Sequence, residues 1–163
     1  MSDRESKDKL KVVWWANRRV AASASEDRCG VNSELSLLRA EDPRLYILWL
    51  PVLETISPQA AEQVQVRLPA DYRLRYFWDH DLRLSRVYYR VLQLGQRPRP
   101  HRIAWDIFLL YGAGVVWDED PPAPEFWLHQ LFLENVPELD APVLRRELKR
   151  MIHADTDQLE LPA

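Results

Sequence analysis

A single thiol is the most reactive side-chain group in the sequence, because Cys29 is the only cysteine. A lone cysteine cannot form an intramolecular disulfide, and free cysteines in folded proteins are commonly buried as small hydrophobic side chains. A nucleophilic thiol would need a lowered pKa, for which Arg28 is the only cation next to it in the chain. Cys29 is therefore a candidate nucleophile, although a buried core position is the commoner role of such a residue.

Two adjacent cations form a second candidate site. Arg18 and Arg19 come just before a segment whose apolar spacing predicts a helix. The first N–H groups of a helix bind anions, and guanidinium groups add charge-assisted hydrogen bonds. Arg18 and Arg19 could therefore bind an anion, although a solvated surface is the more frequent role of such a pair.

Acidic side chains could suggest a metal or an acid–base site. They include Asp79, Asp81, Asp106 and residues 118–120. Aspartate is frequent in loops at strand ends because it caps helices and forms turns, so a structural role is favoured. One cysteine and four histidines give no zinc-site spacing, and motifs for serine hydrolysis or a phosphate loop are missing. We expect no metal and no cofactor.

Composition and charge restrict the class of protein. The chain has 163 residues, of which 47% are hydrophobic and 29% charged, as in one globular domain. A net charge of −3 gives no basic field for a phosphate backbone, so nucleic acid is an unexpected partner. The start of the sequence is polar, and no apolar run approaches the roughly 20 residues that span a bilayer. These features predict a cytoplasmic protein that does not enter the membrane.

Apolar patterning predicts alternating strands and helices. The segments 20–40, 57–68, 84–92, 125–135 and 141–153 have helical spacing. Gly112-Ala113-Gly114 is typical of a tight turn between the last two strands, which would form an antiparallel hairpin. The predicted strands are 11–16, 44–50, 72–78, 103–111 and 115–117.

This order of elements predicts an α/β fold with one mixed sheet of about five strands. Strands separated by helices usually pair in parallel through right-handed crossovers, which leaves helices on both faces of the sheet. We expect residues 1–10 to be disordered, residues 11–135 to form the domain, and residues 136–163 to add one C-terminal helix.

Three stretches resemble the thioredoxin superfamily, in particular its peroxiredoxin-like and cytochrome-maturation thiol-reductase branches. They are Val12–Asn17, Tyr76–Asp79 leading into Leu84–Tyr88, and Ile103–Gly112. In that superfamily, the first precedes the thiol motif, the second is a strand that ends in Asp before a helix, and the third is the strand after a cis-proline. The resemblance covers residues 11–133 and implies a thioredoxin-like fold.

The paired cysteines of that superfamily are missing from this chain. An ungapped alignment from Trp15 and Ala16 puts Arg19 and Ala22 at the two cysteine positions. A second alignment, with about ten residues inserted, makes Cys29 the nucleophile and Asn32 the replacement of its partner cysteine. A peroxidase motif is excluded, since positions seven and three before Cys29 hold Ala22 and Glu26.

The resemblance also implies a binding face beside the degenerate motif. The family's cis-proline falls at Ala104, where a cis bond would cost roughly 3 kcal/mol, so a trans bond is expected. The implied binding residues are Trp15, Arg18, Arg19, Ala104 and Trp105.

Two functions follow. The first is a non-catalytic thioredoxin-like module that binds another protein or its own copy, through the degenerate face or the C-terminal helix. The second is single-cysteine thiol-disulfide or thiol-transfer chemistry at Cys29. The C-terminal helix has an apolar stripe that includes Val143, Leu144, Leu148 and Met151, which must be covered by its own domain or by a partner.

Overall fold

The described residues include five strands, two long α-helices and a short 3-10 helix at Leu94–Gln96. The computed structural model describes residues 11–16, 44–52, 57–59, 62, 73–96, 102–117, 121–131, 133–134 and 136–159. The elements follow the order β1 (Lys11–Ala16), β2 (Arg44–Trp49), β3 (Leu74–Trp78), α1 (Arg83–Val91), β4 (Ile107–Tyr111), β5 (Phe126–His129) and α2 (Ala141–Leu159).

The strands form one mixed sheet in the order β3-β2-β1-β4-β5. β1 pairs in parallel with β2, and β2 pairs in parallel with β3. β4 is antiparallel to β1, and β5 is antiparallel to β4. The combination of strands and helices confirms the α/β class predicted from the sequence.

The α2-side core lies between one face of the sheet and α2. Alternate residues of a strand point to opposite faces, and one set from each of β2 to β5 meets the apolar stripe of α2. This stripe is thus covered by the chain's own sheet. The buried members of the α2-side core are Leu45, Ile47, Trp49, Leu74, Phe108, Leu110, Leu128, Leu144, Leu148 and Met151.

The α1-side core lies on the opposite face of the sheet, under α1 and the loop that follows β4. Its strand residues alternate along the chain with those of the α2-side core. Both faces of the sheet are therefore covered. The buried members are Val13, Leu48, Leu50, Tyr88, Leu94, Ala104, Ile107, Leu109, Tyr111 and Leu131.

The predicted hairpin is wrong in its second strand. Gly114 has a φ of 78°, so the chain turns where expected, but residues 115–117 are not a strand. Val115 and Trp117 instead pack against the α1-side core. β4 pairs with Phe126–His129, which lies in the segment predicted as a helix from 125 to 135. The short apolar run Phe126–His129 fits the spacing of a helix and that of a strand, and its antiparallel pairing with β4 determines which one forms.

The strand predicted from 103 to 111 is also shorter than expected. It begins at Ile107, because Asp106 has a φ of 52° and lies in the left-handed region, which interrupts an extended strand. Ile103 and Ala104 precede this bend and are buried without belonging to the strand.

The predicted helices 84–92 and 141–153 are confirmed as α1 and α2, of which α2 continues to Leu159. Pro58 and Gln59, with Glu62, are helical, in agreement with the start of the helix predicted from 57. The segment 20–40 lies outside the described residues. Among the described residues, none of the helices has the length and hydrophobicity that a membrane span requires.

Candidate site at the carboxyl edge of the sheet

The parallel strands β1, β2 and β3 end together at one edge of the sheet, which we call the carboxyl edge. They finish at Ala16, Trp49 and Trp78, which are neighbours in the register. Because β4 runs antiparallel, Asp106 lies at this same edge, and His129 is paired with Ile107 beside it. Ligands of open α/β sheets usually bind outside the carboxyl ends of parallel strands, so this edge is the place to look for a site.

Asp79 follows β3 directly and caps the start of α1. Its Oδ2 accepts hydrogen bonds from the backbone N–H and the hydroxyl of Ser85, both at 2.9 Å, and its Oδ1 accepts one from Leu84 N at 3.3 Å. Leu82, which precedes the helix, provides no side-chain cap. Both carboxylate oxygens of Asp79 are therefore engaged with the first turn of α1, which is the structural role expected for aspartate at a strand end.

Backbone hydrogen bonds of Asp106 and of Ala104, two residues earlier, connect β4 with β5 and with α1. The Asp106 carbonyl accepts a hydrogen bond from Gln130 N at 2.9 Å, which ties the start of β4 to the end of β5. Two residues earlier, Ala104 N donates to Ser85 O at 3.0 Å and ties the same segment to α1. The segment 104–106 thus joins β4 to β5 and to α1 at the carboxyl edge.

His129 is fully buried and uses both ring nitrogens in hydrogen bonds to backbone groups. Its Nδ1 accepts a bond from Leu131 N at 3.0 Å, so Nε2 carries the proton and donates to Val136 O at 2.9 Å. Its backbone also pairs with the following segment, where Leu139 N donates to His129 O at 2.7 Å. His129 therefore holds the connection from β5 to α2 and has no ring nitrogen left for proton transfer.

Two indole N–H groups at the carboxyl edge make no hydrogen bond within the described part of the chain. Trp49 and Trp78 are register partners on β2 and β3, and both belong to the α2-side core. Their Nε1–H groups are shielded from solvent, and within the described part of the chain neither has a partner. An indole N–H only donates, so these groups can bind an acceptor but cannot transfer a proton as a base.

A hydroxyl pair occupies the opposite edge of the sheet. Tyr111 donates to Pro122 O at 3.2 Å, so the Tyr88 hydroxyl donates to the Tyr111 oxygen at 2.5 Å. Burial raises the pKa of Tyr88 and that of Tyr111, so both phenols stay protonated at neutral pH. Trp117 packs on both rings, with centroids 5.9 and 5.4 Å away. Because β1 pairs Lys11 with Tyr111, this cluster is remote from the carboxyl edge.

The hydroxyl pair has no signal in the sequence. Tyr88 and Tyr111 lie in the helix predicted from 84 to 92 and the strand predicted from 103 to 111, but no local pattern indicates that their hydroxyls meet. The same holds for His129, which lies in the segment predicted as a helix from 125 to 135 and instead ends β5.

The predicted binding residues divide into those that the structure describes and those that it does not. Cys29, Arg18 and Arg19 lie outside the described residues. Trp15 belongs to β1, next to its carboxyl end. Ala104 is buried and Trp105 is half-buried, and both lie just before β4 at the carboxyl edge. No cis peptide bond occurs in the described segments, so the trans bond expected at Ala104 is found.

The described residues contain no group of three His, Cys, Asp or Glu side chains that could hold a metal ion. No protein-family model matches the chain, and no curated protein or solved structure matches it at a significant level. Its function must therefore be inferred from its own geometry.

Proposed function

We propose that this chain is a non-catalytic module with a thioredoxin-like order of elements, which acts in the cytoplasm by binding another protein. The sheet order supports this proposal: a central β1 has β2 in parallel on one side and antiparallel β4 and β5 on the other. Ala104, at the implied cis-proline position, and the neighbouring Trp105 precede β4 at the carboxyl edge.

We favour binding over catalysis because of the hydrogen bonds that polar side chains make at the carboxyl edge. At the carboxyl edge, the side chains of Asp79, Ser85 and His129 bond to the first turn of α1 or to loop backbone, whereas the exposed His80 and Asp81 bond to each other at 3.1 Å. Asp79 and Ser85 bond to each other and to the start of α1, and His129 bonds to two loop backbone groups. A catalytic base must be able to accept a proton from a substrate, and the hydrogen bonds of Asp79 and His129 already occupy the oxygens and ring nitrogens that would do so.

The apolar stripe of α2 is not the binding surface. Leu144, Leu148 and Met151 are buried against the sheet, so the stripe stabilises the domain itself. The hypothesis that the C-terminal helix is an added interaction element therefore fails for its apolar side. Only the exposed surfaces of the chain remain for a partner.

Two measurements on the full chain test the proposal. The first compares wild type with Cys29→Ser for reduction of a glutathione mixed disulfide, and we expect no turnover from either protein. The second introduces a photo-crosslinking amino acid at surface positions in cells and identifies the crosslinked protein by mass spectrometry. We expect one protein to crosslink reproducibly from one face of the chain.

A turnover that disappears in Cys29→Ser, without any reproducible crosslink, would contradict the proposal and favour thiol transfer at Cys29. The Cys29→Ser variant must keep the melting temperature of wild type, so that lost turnover is not caused by unfolding.

A further inference from the structure

The exposed side of α1 carries a stripe of three arginines. Arg83, Arg86 and Arg90 are exposed, and their spacing of three and four residues puts them on one side of the helix. We call them the arginine stripe. Residues 73–96 contain five arginines and two aspartates, in a chain whose net charge is −3. Positive charge is therefore concentrated in a protein that is acidic as a whole.

The described residues neutralise the charges of the stripe only weakly. The Arg86 side chain donates to the backbone carbonyl of Asp81 at 2.8 Å, and the Arg90 side chain donates to the backbone carbonyl of Arg86 at 3.4 Å. In the described part of the chain, neither has a carboxylate within ion-pair distance. Arg83 Nε lies 3.6 Å from Asp81 Oδ2, its one carboxylate contact among the described residues, and its side chain is 84% exposed. These bonds hold the guanidinium groups in place and leave donors facing solvent.

The arginines of α2 have the opposite arrangement. Arg146 and Arg150 bond to Glu147 at 3.1 and 2.9 Å, and Arg150 also bonds to Glu125 at 3.1 Å. On α2, neighbouring carboxylates thus neutralise the arginines that keep the helix surface soluble. The unbalanced stripe on α1 is therefore a specific feature of that helix.

An exposed aromatic ring lies on the same side of the sheet as α1. Leu74, Tyr76 and Trp78 point into the α2-side core, so Phe77 points to the α1 side. Its side chain is 50% exposed and its ring centroid is 6.2 Å from that of Tyr46. Aromatic and arginine side chains together are the composition enriched in protein interfaces.

We propose that the arginine stripe and Phe77 form the docking surface for an acidic polypeptide segment that carries an apolar side chain. This inference rests on the proposed function and names its surface and the chemistry of its partner. Carboxylates would pair with the stripe, and the apolar side chain would cover Phe77. Three arginines are few for a nucleic-acid backbone, and the acidic remainder of the chain repels a long polyanion, so the observations favour a peptide.

An NMR titration of the full chain with a short synthetic peptide of glutamates around one phenylalanine tests the proposal. We expect the backbone amide signals of α1 and Phe77 to shift and those of α2 to stay. The combined variant Arg83→Gln, Arg86→Gln and Arg90→Gln should weaken binding about tenfold, equivalent to about 1.4 kcal/mol. Raising the salt concentration should also weaken it, since the contacts are exposed.

Two matched controls define the surface. Arg145→Gln, Arg146→Gln and Lys149→Gln remove the same charge from α2 and should leave the affinity within about twofold of wild type. Phe77→Ala should weaken binding, whereas Val116→Ala should not, although Val116 is 57% exposed. Each variant must keep the amide spectrum of a folded protein.

Several outcomes would overturn the inference. They are the absence of peptide-induced shifts on α1, an equal loss of affinity in the α2 control, and tighter binding of an oligonucleotide of the same charge. A partner that still crosslinks to the arginine-stripe variant would eliminate this surface while leaving the proposed function intact. Turnover at Cys29 without a crosslinked partner would instead remove the proposed function.

Discussion

The two helices cover opposite faces of the sheet, and different interactions hold them there. α1 is fixed by buried polar contacts: Asp79 at its first turn, Ser85 O to Ala104 N, and the Tyr88 hydroxyl to Tyr111. α2 is fixed mainly by an apolar stripe, while its charged groups form ion pairs with one another on the outside. Hydrogen bonds are directional and apolar packing is not, so α1 is positioned more specifically, whereas α2 depends mainly on apolar packing.

This difference is consistent with the docking surface that we propose. An arginine stripe that binds a partner needs a helix of fixed orientation, and the cap and the hydroxyl pair fix α1 from two sides. α2 needs only to cover its face of the sheet. The comparison predicts that α2 dominates stability, whereas substitutions in α1 have smaller and more position-dependent effects.

The largest effect is expected from the apolar stripe of α2. Leu148→Ala removes a side chain that is 3% exposed from the α2-side core and should lower the free energy of unfolding by about 2–5 kcal/mol. Urea denaturation at neutral pH measures this loss. Lys149→Ala, at an exposed position one residue along, should change stability by less than about 0.5 kcal/mol. Similar losses from both variants would show that α2 is not held by its stripe.

A smaller effect is expected from the hydroxyl pair that fixes α1. Tyr111→Phe removes two hydrogen bonds, from Tyr88 and to Pro122 O, whereas Tyr88→Phe removes the bond to Tyr111. At about 1 kcal/mol for each bond, Tyr111→Phe should destabilise the protein by more than Tyr88→Phe. The rings remain in both variants, so packing with Trp117 is retained and the difference reports the hydroxyls. An equal cost in urea denaturation would contradict the assigned direction of donation.

Loss of the cap should cost about 1 kcal/mol and act locally on α1. Asp79→Ala removes the acceptor of Ser85 N and Leu84 N, so the first turn of α1 should exchange its amide hydrogens faster. Hydrogen exchange followed by NMR measures this change. Asp81→Ala is the control, because Asp81 is exposed and makes no capping bond to α1. Faster exchange throughout the sheet would mean that Asp79 supports the whole fold instead of one helix end.

Sequence reasoning predicted the elements whose patterns are unambiguous and missed those that depend on distant partners. β2 is apolar on both faces and α2 has a regular apolar stripe, so each was predicted from its own residues. Phe126–His129 fits a helix or a strand equally well, and only its register with β4 decides between them. The roles of His129 and of the hydroxyl pair depend on residues far away in the sequence, which no local pattern specifies. Asp79 was the most predictable site residue, since aspartate between a strand and a helix commonly caps the helix.

The smallest effect is expected from the ion pairs on α2, and its pH dependence makes it specific. The hydrogen bond from Arg150 is the main cause of a pKa of Glu147 below the ordinary value of 4.5. Because the folded pKa is lowered, the contribution to stability is present above pH 4.5 and disappears as the pH falls through the folded value. Glu147→Gln should therefore cost about 0.2–1 kcal/mol at pH 7 and less at pH 3. Urea denaturation of both proteins at the two pH values measures the difference.

Glu125→Gln, which breaks only the bond to Arg150 NH2, should cost less than Glu147→Gln at pH 7. A cost of Glu147→Gln that is the same at both pH values would show that its charge contributes nothing, and α2 would then depend on its apolar stripe alone.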